Sequence, residues 1–108
     1  MSGRAPSPET QDRRHRAVEM RLAGVGYARI AEALGYATPS GPFRAVRAAI
    51  ADGDDEAAVL LREQELARLD ALQLSLWPRA TRGHLRSVDG VLAIMKRRAR
   101  LLELGGGM

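Results

Sequence analysis

Apolar positions recur at helical spacing along most of the chain, and no β-branched run of strand length interrupts them. The most informative stretch is Gly24 to Ile50, GVGYARIAEALGYATPSGPFRAVRAAI. Tyr27 to Leu34 reads as a short amphipathic helix, with Ile30 and Leu34 on one stripe and Ala31 small enough for a close partner. Gly35 follows where a left-handed terminating residue is wanted, a conformation only glycine adopts cheaply. Thr38 then supplies an N-cap and Pro39 a residue pre-set for a first helical position. Beyond them Phe43, Val46 and Ile50 recur as the packing side of a second helix, while Ser40, Arg44 and Arg47 fall on a different face.

The flanking pattern is also helical. Residues 1–7 lack periodicity and are expected to be disordered. Ser7-Pro8-Glu9 is a helix start, with a capping serine, proline at the first position and an acid in the first turn. That helix should run to about Ala23 and pack Val18 and Leu22 against Ile30, Leu34 and Phe43. Arg13, Arg14, His15, Arg16 and Arg21 crowd its remaining surface. The acidic segment ADGDDE breaks the pattern after Ile50, and Asp54 or Asp55 can cap the next helix. A module boundary is placed there.

From Asp55 a helix of more than twenty residues is expected, with Leu66, Leu69, Leu72 and Leu76 on one stripe. Leu61 and Leu74 lie off it, so the helix is apolar on more than one side and needs more partner surface than one small chain supplies. Trp77-Pro78 should kink or end it. Gly83 permits a turn and Ser87 can cap a last helix, Ser87 to Leu104. There Val88, Leu92, Met95, Ala99 and Leu102 form a stripe with Val91, Ile94 and Leu101 alongside. The two helices read as an antiparallel hairpin. Lys96, Arg97, Arg98 and Arg100 favour the C-terminal helix dipole or pair with acids such as Glu63, Glu65 and Asp70. The closing GGGM should be loose. The fold class is therefore all-α: residues 8–53 form a helix-turn-helix module, 54–104 a long helical hairpin, and 105–108 a flexible tail.

Composition narrows the function. The 108 residues hold no cysteine, which removes disulfides and thiolate metal sites and makes an intracellular location the default. No apolar run reaches the roughly 18 residues that span a bilayer, and no signal-peptide core is present at the start. His15 and His84 are the only histidines and have no partner at metal-ligand spacing, so neither metal nor cofactor is expected. No phosphate-binding glycine loop or nucleophile–base arrangement is present, and an enzyme is not expected.

Net charge is +4, with arginine supplying all but one of the 17 basic residues, a bias that a GC-rich genome also produces. Residues 1–53 carry eight arginines against five acids, a net of +3, and residues 54–108 nine basic groups against eight acids, a net of +1. The excess thus sits with the module that holds the helix pair at 27–50, in which a second helix packs by one side and offers the other to a DNA major groove. Ser40, Arg44 and Arg47 are its candidate DNA contacts. Arg29 is a further candidate DNA contact, and Arg13 and Arg14 on the first helix are candidate phosphate contacts.

The segments YARIAEALGYATPSGPFRAVRAAI (27–50) and RLDALQLSLWPRATRGHLRSVDGVLAIMKRRARLLEL (68–104) together resemble the small terminase subunits of tailed bacteriophages. The resemblance implies a non-enzymatic, ring-forming protein of the host cytoplasm that binds viral DNA and hands it to the ATP-driven large terminase subunit. It adds Gly41 to the DNA-facing residues and makes the hairpin the oligomerisation element, through Leu66, Leu69, Leu72, Leu76, Trp77, Leu92 and Met95. Family members often continue into a segment that contacts the large subunit, whereas this sequence ends at GGGM. Two other readings fit the same residues: a dimeric transcriptional regulator on a palindromic operator, and a protein-only interaction module.

Overall fold

The computed structural model describes residues 7–53 and 55–106, and no strand occurs among them. Five helices follow in order: α1 (Pro8–Leu22), α2 (Tyr27–Leu34), α3 (Ser40–Asp52), α4 (Glu56–Thr81) and α5 (Leu85–Gly106). None of them is long and apolar enough to cross a membrane. Of residues 1–7, expected to be disordered, 1–6 lie outside the described residues, as do Asp54 and the last two positions, while Ser7 is the N-cap of α1. The chain divides into two compact units, Met1–Leu61 and Arg62–Met108. The acidic segment is a helix end, Gly53 with φ 69°, and the division between units falls inside α4.

In the first unit α1 packs on α2 and α3, and α2 packs on α3. The start of α1 is as its sequence dictates: Ser7 accepts from the Thr10 amide and Pro8 occupies the first turn. Gly35 takes φ 81° at the end of α2, and the Gly35 and Tyr36 amides both close on the Ala31 carbonyl. The core is Ala17 and Val18 of α1, Ile30 and Ala31 of α2, Pro42, Val46, Ala49 and Ile50 of α3, and Ala58 and Leu61 of early α4. Each fully buried Val, Leu or Ile side chain here contributes about 1.5–3 kcal/mol.

Three local expectations fail in this unit. Phe43 is not part of the core but 44 % exposed, because the packing stripe of α3 runs 42, 46, 49, 50 and Pro42 takes the inner place. Thr38 makes no side-chain cap. Pro39 stands at the N-cap in helical backbone conformation, and the Thr38 and Pro39 carbonyls accept from Gly41 and Phe43 instead. Leu22 and Leu34 are only half-buried.

The end of α3 and the start of α4 are tied to α1 by charge. Arg14 donates to Asp52 at 3.0 Å. His15 lies between two carboxylates, Nδ1 at 2.7 Å from Asp55 and Nε2 at 3.2 Å from Glu19, and only the doubly protonated ring donates to both. Asp55 also caps α4 by accepting from the Ala57 amide. The Asp55 hydrogen bond raises the His15 pKa above its ordinary 6.5 against the opposing effect of burial, with the charges of Asp55 and Glu19 adding to the rise. Burial pushes the Asp55 carboxyl upward, but the bonds from His15 and Ala57 outweigh it and hold the group below 3.8.

Because folded His15 binds its proton more tightly, its contribution to stability is complete below pH 6.5 and fades as pH rises through the raised value. The Asp55 contribution is present above 3.8 and is lost as pH falls through the depressed value. The melting temperature is therefore expected to be higher at about pH 5 than at about pH 8, and thermal melts of His15→Gln should show that difference reduced. An unchanged difference in the variant would assign it to other groups.

In the second unit α4 and α5 run in opposite directions. Arg62 donates to the carbonyls of Leu101 and Leu102, Arg98 pairs with Asp70 at 2.8 Å, and Gly90 sits so close to Leu76 that a Cβ there would meet its Cδ1 at 2.9 Å. The side of α4 turned to α5 carries Arg62, Leu66, Leu69, Gln73, Leu76 and Ala80, all half-buried. Leu72, expected on that stripe, lies off it and is 55 % exposed, with Gln73 nearer the inner line. On α5 the covered positions are Ser87, Val91, Ile94 and Leu101. Of the set that reads as the main stripe in sequence, Val88 is half-buried and Leu92, Met95, Ala99 and Leu102 are exposed beside it.

Helix ends here also differ from expectation. Proline does not stop α4, which continues through Pro78 to Thr81. Pro78 lacks the one N–H that would close on the Leu74 carbonyl, and beyond it Thr81 Oγ1 donates to the Trp77 and Pro78 carbonyls. Gly83, at φ 91°, makes the turn. His84 rather than Ser87 caps α5: its Nδ1 accepts from the Ser87 amide and its carbonyl from the Val88 amide. Ser87 is buried one turn inward. At the other end α5 runs on through Gly105 and Gly106, since adding residues to an existing helix costs far less than starting one.

Candidate nucleic-acid interface

The outer side of α3 is fixed by what its inner side buries. With Pro42, Val46, Ala49 and Ile50 turned inward, helical spacing brings Ser40, Phe43, Arg44 and Arg47 onto the surface. Ser40 and Arg44 are exposed, and Arg47 is half-buried with its guanidinium carbon 5.5 Å from the Phe43 ring centre. Arg29 of α2 is exposed as well. Among the described residues neither Arg29, Arg44 nor Arg47 has a carboxylate partner. Unpaired guanidinium groups offer several donors in a rigid fork, which matches phosphate oxygens or the O6/N7 edge of guanine. The first turn of α3 has no acid, so no side-chain carboxylate opposes the positive dipole end there.

The other candidates are engaged within the fold. Gly41 is half-buried beneath Tyr36, and a Cβ on it would approach Tyr36 Cδ1 to 2.6 Å. Its role in the fold is close packing. Arg13 lies over that ring, 4.0 Å from the centroid, and reaches the Gly35 carbonyl at 3.5 Å. Arg14 is held by Asp52. Of the seven residues expected at a DNA face, the structure thus places Ser40, Arg44 and Arg47 together on α3 and Arg29 exposed on α2, while Gly41, Arg13 and Arg14 are used internally.

Sequence reasoning missed an aromatic row on the same unit. Arg21 stacks on Tyr27 at 4.6 Å, the Tyr27 and Phe43 rings meet edge to face at 5.4 Å and 80°, and Arg47 lies over Phe43. The available signal was Pro42: counting the α3 stripe from Pro42 turns Phe43 outward.

In the second unit the expected assembly residues divide. Leu66, Leu69 and Leu76 are half-buried between α4 and α5, whereas Leu72, Trp77, Leu92 and Met95 are exposed. On α5 the positions Leu85, Val88, Leu92, Met95, Ala99 and Leu102 alternate steps of three and four, the spacing of a coiled-coil seam. Met95, Ala99 and Leu102 join Asp70, Gln73 and Arg98 around an open groove of about 380 Å³. Lys96, Arg97 and Arg100 are exposed, and among the described residues Arg98 alone of that basic cluster has a facing acid, Asp70. Among the described residues no group of three or more His, Cys, Asp or Glu could hold a metal ion. No protein-family model, curated protein or solved structure matches this chain.

Proposed function

We propose that this chain is a non-enzymatic DNA-binding protein whose first unit works as a helix-turn-helix, with α3 laid in the major groove. The observation that carries the reading is the α3 surface: Ser40, Arg44 and Arg47 stand opposite the buried stripe, and no carboxylate among the described residues neutralises the two arginines. Arg29 on the preceding helix supports it as a phosphate contact. The second unit is the assembly element, a helical hairpin that joins copies of the chain into a ring. What supports this is the exposed seam of α5, because among the described residues of the second unit Val91, Ile94 and Leu101 are the only buried apolar side chains, and so small a core gains little from lone folding. Together with the resemblance to small terminase subunits, these features favour a role in phage genome packaging. The ring would gather viral DNA in the host cytoplasm for the large terminase subunit.

Solution mass tests the reading directly. At micromolar concentration the protein is expected as a closed oligomer larger than a dimer that retains duplex DNA in the same particle. A two-fold dimer protecting one symmetric site would replace packaging by transcriptional regulation. A stable monomer, or an oligomer indifferent to duplex DNA, would sink the proposal.

A further inference from the structure

An exposed aromatic ring in the middle of an arginine-bearing helix face calls for an apolar counterpart. Phe43 lies between Ser40 and Arg47 on the outer side of α3, with 44 % of its surface open. Its ring is braced on two sides, edge to face by Tyr27 at 5.4 Å and by the Arg47 guanidinium at 5.5 Å. A ring held in this way loses little freedom when a partner covers it. The groups a major groove displays decide the chemistry facing it. Base edges present hydrogen-bond donors and acceptors, which a phenyl ring cannot satisfy, and one apolar group, the C5 methyl of thymine. Resting on the DNA-binding reading above, we propose that Phe43 is a specificity-determining residue that contacts the thymine methyl group. Tyr27 is the positioning residue that holds the ring toward it.

The test uses the full chain and a pool of duplexes with a randomised central segment. Wild type is expected to enrich duplexes with thymine at a fixed position. Replacing that thymine by deoxyuridine removes only the methyl group and should weaken binding about fourfold, the effect of uncovering one buried carbon. Phe43→Ala should bind both duplexes equally, and Phe43→Leu, smaller but apolar, should keep part of the difference. Because Phe43 lies outside the core, circular dichroism of Phe43→Ala should match wild type, and Phe43→Leu serves if it does not. A variant weakened equally toward both duplexes would show that the ring only props the fold. Equal wild-type affinity for thymine and uracil at every position, or no enriched thymine, would overturn the inference while leaving DNA binding in place. Failure of wild type to bind any duplex would instead remove the reading beneath it.

Discussion

Replacing Arg44 and Arg47 together by alanine is expected to reduce affinity for duplex DNA about a hundredfold, with little change in melting temperature. Each arginine is worth about 1–3 kcal/mol if it reaches a base edge, and each phosphate neutralised adds about 0.9 to the salt slope. The log–log dependence of affinity on salt should therefore flatten by up to about two per protomer. Stability should be nearly untouched, because Arg44 is exposed and Arg47 gives up only its stacking on Phe43, worth about 0.5–1 kcal/mol. Arg14→Ala is the matching control. Its guanidinium is held by Asp52, so removing it should cost some stability and leave the salt slope as it was. Fluorescence anisotropy across a salt series measures all three proteins. Unaltered affinity and slope in the double variant would move the binding face away from α3.

The second large effect concerns assembly. Leu92→Glu combined with Met95→Glu is expected to shift the particle from oligomer to single-chain mass, as read by light scattering, while helix content stays near wild type. Both side chains are about half open or more in the lone chain, 58 % and 49 %, so a carboxylate there keeps its water. Across a seam between copies the same carboxylates would be desolvated and would repel one another. Val91→Glu with Ile94→Glu makes the contrast, because those positions are covered by the chain itself and a charge there should melt the second unit. The dispersed double variant should still touch DNA through α3, with the avidity of several copies removed. Persistence of the oligomer would place the seam elsewhere.

Much of the helical order was legible in the residues themselves. Ser7-Pro8 and Gly35 act through local backbone geometry, and local geometry can be read from neighbours in sequence. The misreadings of Phe43 and of the α5 stripe share a different cause: each depended on which of two apolar lines a helix turns inward. Phe43 and Pro42 are adjacent in sequence but point apart, and choosing the larger side chain for the core put the ring on the wrong side. On α5 the two heptad-spaced lines are similarly apolar, and the close approach of Gly90 to Leu76 favours the line through Val91 and Ile94. Pro78 was overweighted because a proline inside a helix removes a single ladder bond and need not end it. At the candidate interface, Arg44 and Arg47 were legible from spacing alone. The use of Arg13 on Tyr36 and Arg14 on Asp52 was not, since those partners lie more than twenty residues away.

The stack of Arg13, Tyr36 and Gly41 sets limits on how this protein can be given a new target. Positions 40, 43, 44 and 47 lie at the surface of α3 and take no part in the packing stripe, so a library varied at those four sites should fold throughout. Position 41, although it neighbours them on the same first turn, has to stay glycine. Any larger residue displaces the tyrosine ring, and with it the arginine that joins the first helix to the bend before α3. Redesign of the reading surface is thereby separable from redesign of the scaffold, with one backbone position marking the border.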